Sequence, residues 1–154
     1  VERSDTISLA ALTEEVFCDL DPVADKHQIR LIQTEGDCTV TGSYILLYRA
    51  VYNLVENAIK YNQPSGSVTV SIHTAESAVL EVTDTGIGIS PENQEKIFDP
   101  FYRVDKSRSR AMGGAGLGLA LVSEIARQHN GQVKVTQSSK KGSTIALILP
   151  VTIL

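Results

Sequence analysis

The chain of 154 residues contains few of the residues that mark metal, redox or nucleic-acid proteins. Its two cysteines, Cys18 and Cys38, lack C-x-x-C spacing and have no His/Cys cluster nearby, which argues against a zinc or redox motif. We interpret them as reduced, partly buried thiols of a cytosolic protein. The formal net charge of -4 argues against a dedicated nucleic-acid binder, because such domains usually need a basic face.

Long hydrophobic runs are also missing. The longest apolar run covers residues 145–154, contains Pro150 and Thr152, and is too short to span a bilayer. The chain does not open with a charged region followed by an apolar region, the pattern of a signal peptide. The chain begins at Val1 and its only methionine is Met112, so we expect it to be a piece of a longer protein. Its length allows one full hydrophobic core, and we expect a single domain over residues 1–154.

The pattern of apolar residues predicts an α+β fold. Helical spacing, with Ser8 and Ser43 as N-caps, predicts helices over residues 8–26, 44–61 and 117–129. Short strands are predicted at residues 29–34 and 38–41, followed by a hairpin turning at residues 75–77 and a terminal hairpin of residues 133–137 and 144–149. These elements indicate a layer of helices on one face of a sheet.

Polar side chains occupy one side of the second predicted helix. At about 100° per residue they share an arc of roughly 140°. They are Asn53, Glu56, Asn57, Lys60 and Tyr61. Asparagine and tyrosine are poorer helix formers than Ala, Glu or Lys, which indicates that they are kept for contacts. Amide oxygens suit Mg²⁺, a hard cation that prefers oxygen ligands, so these residues could form a metal site. The alternative interpretation is an ordinary solvated helix face.

Two glycine-containing turns follow. Residues 84–89 read Asp-Thr-Gly-Ile-Gly-Ile and end a predicted strand, so the backbone could approach a ligand closely while Asp84 accepts a hydrogen bond from an amine such as that of adenine. Residues 113–120 open the third helix with four glycines, which is typical of an anion site at a helix N-terminus. An ordinary Asp turn and a flexible hinge are the respective alternatives. Neither a Walker A loop nor G-x-G-x-x-G fits, because Leu119 and Ala120 stand where the Walker motif needs Lys and Ser/Thr.

A long loop joins these turns, from residue 86 to residue 116, and such length in a compact domain usually indicates function. It contains the segment Phe98-Asp99-Pro100-Phe101-Tyr102-Arg103. Four cations could close on a polyphosphate, namely Arg103, Lys106, Arg108 and Arg110. The alternative is a solvated loop anchored to the core by Phe98 and Phe101.

In order and spacing, these four segments resemble the N, G1, F and G2 boxes of sensor histidine kinases. That family shares an ATPase superfamily with DNA gyrase, the mismatch-repair ATPases and an ATP-driven chaperone. The resemblance reaches nearly the whole chain, because the leading helix, the Val-x-Gly-Ser approach at residues 40–43 and the closing Gly-Ser-Thr strand also match. It implies a Bergerat-type α/β sandwich: a mixed, mostly antiparallel sheet covered on one face by three helices, with a mobile ATP lid at about residues 98–115.

The resemblance also implies site residues by position. Asn57 would be the Mg²⁺ ligand with Asn53 beside it, Lys60 would contact phosphate, and Tyr61 would line the adenine site. Asp84 would hold the adenine amine, with Glu56 as a candidate base only. Further ATP contacts are implied for Gly86, Gly88, Ile89, Phe98, Arg103, Gly114, Gly116, Leu117, Gly118 and Leu119. Phosphoryl transfer requires positioning and charge neutralisation more than covalent chemistry, which suits such a site.

The phosphoacceptor histidine is missing. The family sets it in His-Glu-x-Lys/Arg-Thr-Pro, whereas His27, His73 and His129 stand in other contexts, and we interpret all three as surface or strand histidines without a chemical task. The resemblance therefore implies an upstream dimerisation domain that carries the acceptor, and a response regulator beyond it. It also implies a cytoplasmic, monomeric domain that binds no nucleic acid and is not membrane-embedded, from a parent that can be anchored in the inner membrane.

Two other functions remain open at this stage. One is an anti-sigma-factor type of serine kinase from the same superfamily. The other is a nucleotide-sensing module without transfer activity, against which the intact Asn57, Asp84 and glycine segments argue.

Overall fold

A computed structural model describes residues 5–94, 96–99 and 118–152 of the chain. In chain order the strands are β1 Asp5–Ser8, β2 Arg30–Gln33, β3 Thr39–Gly42, β4 Ser67–Thr74, β5 Ala78–Asp84, β6 Gln132–Ser139 and β7 Gly142–Leu149. The helices are α1 Leu9–Lys26, α2 Tyr44–Lys60 and α3 Gly118–Gln128, with 3-10 turns at Pro91–Asn93 and Lys96–Phe98.

The main sheet has five strands in the order β2-β4-β5-β7-β6. Only the β2–β4 pair is parallel, and every other neighbouring pair is antiparallel. A second, two-stranded sheet joins β1 to β3, with Asp5 opposite Gly42. This mixed, mostly antiparallel sheet confirms the fold that the resemblance implies.

One face of the sheet packs under the helices. Alternate residues of β4 and β5 are buried there, namely Val68, Val70, Ile72, Ala78, Leu80 and Val82. The helices contribute Leu12, Val16, Leu47, Val51, Leu54, Val55 and Ile125 to the same core. Helix α2 contacts both α1 and α3, so it is the central helix of the layer. Period-2 strands and period-3.6 helices thus share a single apolar core, as the patterns predict.

The helix bounds confirm the sequence prediction. Ser8 caps α1 by accepting from the Ala11 N–H group, and Ser43 caps α2 by accepting from the Leu46 N–H group. Between β5 and α3, Pro91–Asn93 and Lys96–Phe98 form short 3-10 turns, in which only Ile97 is buried. Strand β1 was not predicted, because a four-residue strand that ends on the N-cap residue of α1 carries too little periodicity to identify.

Tyrosines of α2 also hold α1 in place. The Tyr44 and Tyr48 hydroxyl groups donate to the carboxylates of Glu15 and Asp19, respectively. The rings of Tyr44, Tyr48 and Tyr52 follow one another along α2, with centroids 6.2 and 6.0 Å apart. Partial burial and the Glu15 carboxylate raise the pKa of Tyr44 to about 12, so this hydroxyl remains a donor at neutral pH.

Asp37 secures the start of α1 from a neighbouring loop. Its Oδ1 atom accepts from the N–H groups of Ala10 at 2.9 Å and Cys38 at 2.7 Å, and its Oδ2 atom accepts from the Ser8 hydroxyl at 2.8 Å. Partial burial alone would raise the pKa of Asp37, but these hydrogen bonds outweigh it and lower the pKa below 3.8. A carboxylate on these amides also faces the positive end of the helix dipole.

We predict that Asp37→Ala lowers the free energy of unfolding by about 1 kcal/mol at neutral pH, as loss of an N-cap does. Because the folded-state pKa is lowered, this contribution is complete above 3.8 and disappears as the pH falls below it. Urea unfolding between neutral and acidic pH measures it. Asp21→Ala, an exposed carboxylate of α1, is the control, and equal losses in both variants would contradict the capping role.

Candidate nucleotide-binding site

The polar side of α2 lies where the sequence predicts it. Asn53, Glu56, Asn57, Lys60 and Tyr61 are all partly exposed, whereas Val51, Leu54, Val55 and Ala58 on the other side are buried. The Lys60 ammonium group is 3.7 Å from the Glu56 carboxylate, one helical turn back. This i,i+4 pair is worth only a few tenths of a kcal/mol at a partly exposed position, so it orients both side chains more than it stabilises the helix.

The end of α2 contacts the turn that follows β5. A Cβ atom at Gly86 would lie 2.4 Å from the Tyr61 carbonyl oxygen and 3.1 Å from the Asn62 Cα atom. Only a glycine allows the two backbones to come so close. The structure therefore brings together the first two of the four segments, which are separated by more than twenty residues in the chain.

A buried polar network holds this contact. The Asn62 side chain is 7% exposed, its Oδ1 atom accepts from the Thr85 hydroxyl at 2.9 Å, and its amide group donates to the Ser67 carbonyl at 2.9 Å. The Ser67 N–H group donates to Thr85 Oγ1, also at 2.9 Å, which closes the network. Sequence reasoning missed both Asn62 and Thr85. Asn62 directly follows the predicted second helix, and Thr85 stands between Asp84 and Gly86, so neither belongs to a pattern of its own.

Asp84 ends β5 with its carboxylate turned toward β7. The Oδ1 atom accepts from the N–H groups of Gly86 at 2.9 Å and Ser143 at 3.3 Å, and Oδ2 accepts from the Ser143 hydroxyl at 3.1 Å. Asp84 and Ser143 are partners in the β5–β7 ladder, which fixes this arrangement. A carboxylate offers about four acceptor positions, so three protein donors leave it able to accept one more.

Burial raises the pKa of Asp84 above 3.8, and the hydrogen bonds from Gly86 and Ser143 oppose that shift. Within the described residues no cation pairs with this carboxylate. A partly desolvated acceptor with spare capacity suits an uncharged donor such as an aromatic amine better than a solvated surface position would. Ser143, the second residue of the closing Gly-Ser-Thr segment, was not named from the sequence as a site residue.

The rest of the turn rests on the β6–β7 hairpin. Gly88 has φ of +79°, and the Ile89 N–H group donates to the Ser138 hydroxyl at 2.6 Å. The Gln94 amide group donates to the Ile89 carbonyl at 3.0 Å. These contacts show how Gly88 and Ile89 support the shape of the turn, while their contact with a nucleotide remains a prediction.

The third and fourth segments are described only at their edges. Phe98 is half-buried in a 3-10 turn that packs against α3, and Leu119 is half-buried in the first turn of that helix. Gly118 is the first residue of α3, which lies beside α2. The remaining predicted site residues lie outside the described residues, namely Arg103, Gly114, Gly116 and Leu117, as does most of the predicted lid.

The oxygen atoms on the polar side of α2 suit a metal ion that receives most of its other ligands from water and from the phosphates of a bound nucleotide. In the described part of the chain, no group of three or more His, Cys, Asp or Glu residues could hold a metal ion. The oxygen donors of the α2 face are the amides of Asn53 and Asn57 and the Glu56 carboxylate. A few oxygens of this kind fit Mg²⁺, which keeps several waters and phosphate oxygens in its coordination shell.

Comparison with known proteins agrees with this geometry. Residues 42–153 match the family described as histidine kinase-, DNA gyrase B-, and HSP90-like ATPase. The sensor histidine kinase RppB of Synechocystis is 43% identical over 141 residues, which are 91% of this chain and 31% of that protein. The sensor-like histidine kinase SenX3 of Mycobacterium tuberculosis is 49% identical over 113 residues, or 72% of this chain and 27% of that protein. The chain thus spans less than two fifths of the length of these curated relatives.

A solved structure supports the same grouping. The mycobacterial sensor histidine kinase MprB superposes with a TM-score of 0.82 at 28% identity, covering 98% of this chain and 99% of that one. No helix among the described residues has the length and apolar character needed to cross a membrane. The chain belongs to the histidine kinase-, DNA gyrase B- and HSP90-like ATPase family, and it corresponds to the catalytic domain of the sensor histidine kinases within it.

Proposed function

We propose that this domain binds Mg²⁺-ATP between the polar side of α2, the turn after β5 and the start of α3, and transfers the γ-phosphoryl group to a histidine of a separate dimerisation domain. The observation that carries the proposal is the junction at Gly86. It sets the acceptor oxygens of Asp84 beside the end of α2, whose polar side carries amides and a cation. A nucleotide with its base at Asp84 and its polyphosphate along the polar side of α2 would match this arrangement.

Each residue of the site has one task in this proposal. Asp84 accepts a hydrogen bond from the exocyclic amine of adenine, and Tyr61 borders the base. Lys60 neutralises phosphate charge, and the amide oxygens of Asn57 and Asn53 bind the metal ion. Bound Mg²⁺ neutralises the negative charge that develops on the phosphate oxygens during transfer.

The transfer itself moves one phosphoryl group. The acceptor imidazole nitrogen forms a bond to the γ-phosphorus as the bond to the bridging oxygen of ADP breaks, and ADP leaves with that electron pair. Glu56 is one turn from Lys60 and stands as a candidate base for the imidazole proton. Arg103 and the glycines at 114, 116 and 118 would close the site over the phosphates.

The proposal includes the partners. The acceptor domain belongs to the same parent protein, the phosphoryl group passes on to a response-regulator aspartate, and the reaction takes place in the cytoplasm with this domain as a monomer. Mixing the chain with Mg²⁺-ATP and a histidine-bearing dimerisation domain tests the reaction. An acid-labile phosphoprotein is expected. An acid-stable product on a serine would indicate the serine-kinase alternative, and nucleotide binding without any transfer would indicate a sensing module.

We predict that Asn57→Ala lowers Mg²⁺-dependent transfer by about 100-fold or more, as loss of one preorganised group in a phosphoryl site does. The free energy of unfolding should change by less than about 0.5 kcal/mol, because Asn57 is partly exposed and alanine favours helix. Phosphotransfer rates over a range of Mg²⁺ concentrations measure the effect. Arg49→Ala, an exposed change on the same helix, is the control, and comparable losses in the two variants would remove Asn57 from the site.

Asp84→Asn should weaken binding of adenine nucleotides about tenfold or more, since a hydrogen bond to a charged acceptor is lost. Because burial raises the pKa of Asp84, nucleotide affinity of the wild type should decline as pH falls while still above 3.8, and the variant should lack that decline. By the same linkage, the contribution of Asp84 to the free energy of unfolding is complete below pH 3.8 and is lost as the pH rises through the raised folded-state pKa. The variant should therefore be no less stable than the wild type at neutral pH.

Calorimetric titration with ADP across acidic and neutral pH measures this. Glu81→Gln is the matched control, since it removes one negative charge from the opposite face of β5. If Asp84→Asn left nucleotide affinity unchanged, the adenine pocket would lie elsewhere.

A further inference from the structure

His129 connects the end of α3 to the start of α2, far from the proposed nucleotide. Its Nε2 atom accepts from the Ser43 N–H group at 3.1 Å, and its Nδ1 atom is 2.8 Å from the Ile125 carbonyl oxygen. Ser43 N can only donate and the carbonyl can only accept, so the ring is neutral with its proton on Nδ1. The His129 side chain, to which the sequence assigned no task, therefore makes one hydrogen bond to α3 and one to the N-cap residue of α2.

The bond to Ser43 replaces a missing part of the α2 cap. In a capping box, the serine side chain accepts from the N3 amide, and a Glu or Gln at N3 accepts from the serine N–H group. Ser43 Oγ does accept from the Leu46 N–H group at 3.2 Å, but Leu46 cannot return a bond. His129 supplies that acceptor from a residue 86 positions away.

Gly42 makes room for the imidazole ring. A Cβ atom at this position would lie 2.3 Å from His129 Cδ2 and 2.6 Å from Nε2. The Gly-Ser pair at residues 42–43, which the sequence showed only as part of the approach to α2, thus has two physical roles. The glycine leaves space for the ring, and the serine presents its N–H group to it.

The two helices that meet here also carry the proposed site at their other ends. Asn57 is fourteen residues beyond Ser43, or about 21 Å along α2, and Gly118 is eleven residues before His129, or about 16 Å along α3. The helices pack side by side between these ends. A hydrogen bond at one end therefore fixes how far α3 can slide or turn along α2 at the other.

We infer that His129 is a positioning residue for the kinase reaction: its bond to Ser43 sets the register of α3 on α2, and so the spacing between the Asn57 side chain and the start of α3. The inference rests on the proposed function, because it needs the nucleotide to contact both helices. It predicts that loss of this one bond changes nucleotide recognition without contact with the nucleotide.

Two substitutions separate the two bonds of His129. His129→Asn keeps a donor where Nδ1 lies and loses the acceptor for Ser43, whereas His129→Gln keeps an acceptor near the position of Nε2. Amide hydrogen exchange of Ser43 and the KM and kcat for Mg²⁺-ATP, with a supplied acceptor domain, are measured for both. We expect the Asn variant to exchange the Ser43 amide about tenfold faster and to raise KM about fivefold, roughly the factor of one neutral hydrogen bond, with kcat unchanged.

The Gln variant should restore both values to within about twofold of the wild type, well below the factor for one hydrogen bond. A merely structural role gives a different result, because partial unfolding lowers kcat by reducing the active fraction and leaves KM as it was. His27→Asn is the matched control. The His27 Nδ1 atom bonds to the Val23 carbonyl at 2.9 Å at the end of α1, and among the described residues its Nε2 atom makes no bond to another helix.

Gly42→Ala provides an independent variant, since its methyl group would displace the ring while His129 is retained. It should also raise KM and expose the Ser43 amide. Equal KM values for His129→Asn, His129→Gln and wild type would overturn the inference. The Ser43 exchange rates are measured without nucleotide, and wild-type protein that fails to bind Mg²⁺-ATP would instead refute the proposed function.

Discussion

The close approach of two backbones at Gly86 is the constraint on which the rest of the site depends. Helix α2 ends against the turn that leaves β5, and the space between them excludes any side chain. The side chains of Asn62 and Thr85 form hydrogen bonds with each other and with the Ser67 backbone, which satisfy the polar groups buried at that contact. Since an unsatisfied buried amide or hydroxyl costs roughly 1–3 kcal/mol, the network favours one arrangement of helix and turn.

The proposed site has few charges among its described residues, although its proposed ligand is highly charged. In the proposed site, the base and the phosphates of the nucleotide would contact different groups of residues. The partly buried Asp84 carboxylate, held by backbone and serine donors, would accept from the base, and the amides and one ammonium group along α2 would face the phosphates. The cations of residues 103–110 lie between β5 and α3 in the sequence. Such a division would allow a net charge of -4 together with a locally favourable phosphate region.

The sequence predicted most elements because their patterns are local. Ser8 and Ser43 mark helix starts, and alternation in β4 and β5 identifies the buried face. The polar and buried sides of α2 also follow from its own residues. What the sequence could not supply were contacts between distant segments, such as Asp84 with Ser143, Ser43 with His129, and the parallel pairing of β2 with β4. No single-segment pattern carries those pairs, and only strand register and helix packing bring them together.

The dependence of Asp84 on Ser143 ties chemistry to the alignment of the sheet. Side chains alternate between the two faces of a strand, so a shift of β7 by a single residue would point its serine to the opposite surface and put Thr144 or Gly142 across from the carboxylate. A misaligned chain would still have an apolar interior, but Asp84 would lose the Ser143 donors that orient its carboxylate for the proposed purine contact. If Asp84 has the proposed role, nucleotide binding would distinguish correctly paired strands from a shifted register that hydrophobic collapse alone would tolerate.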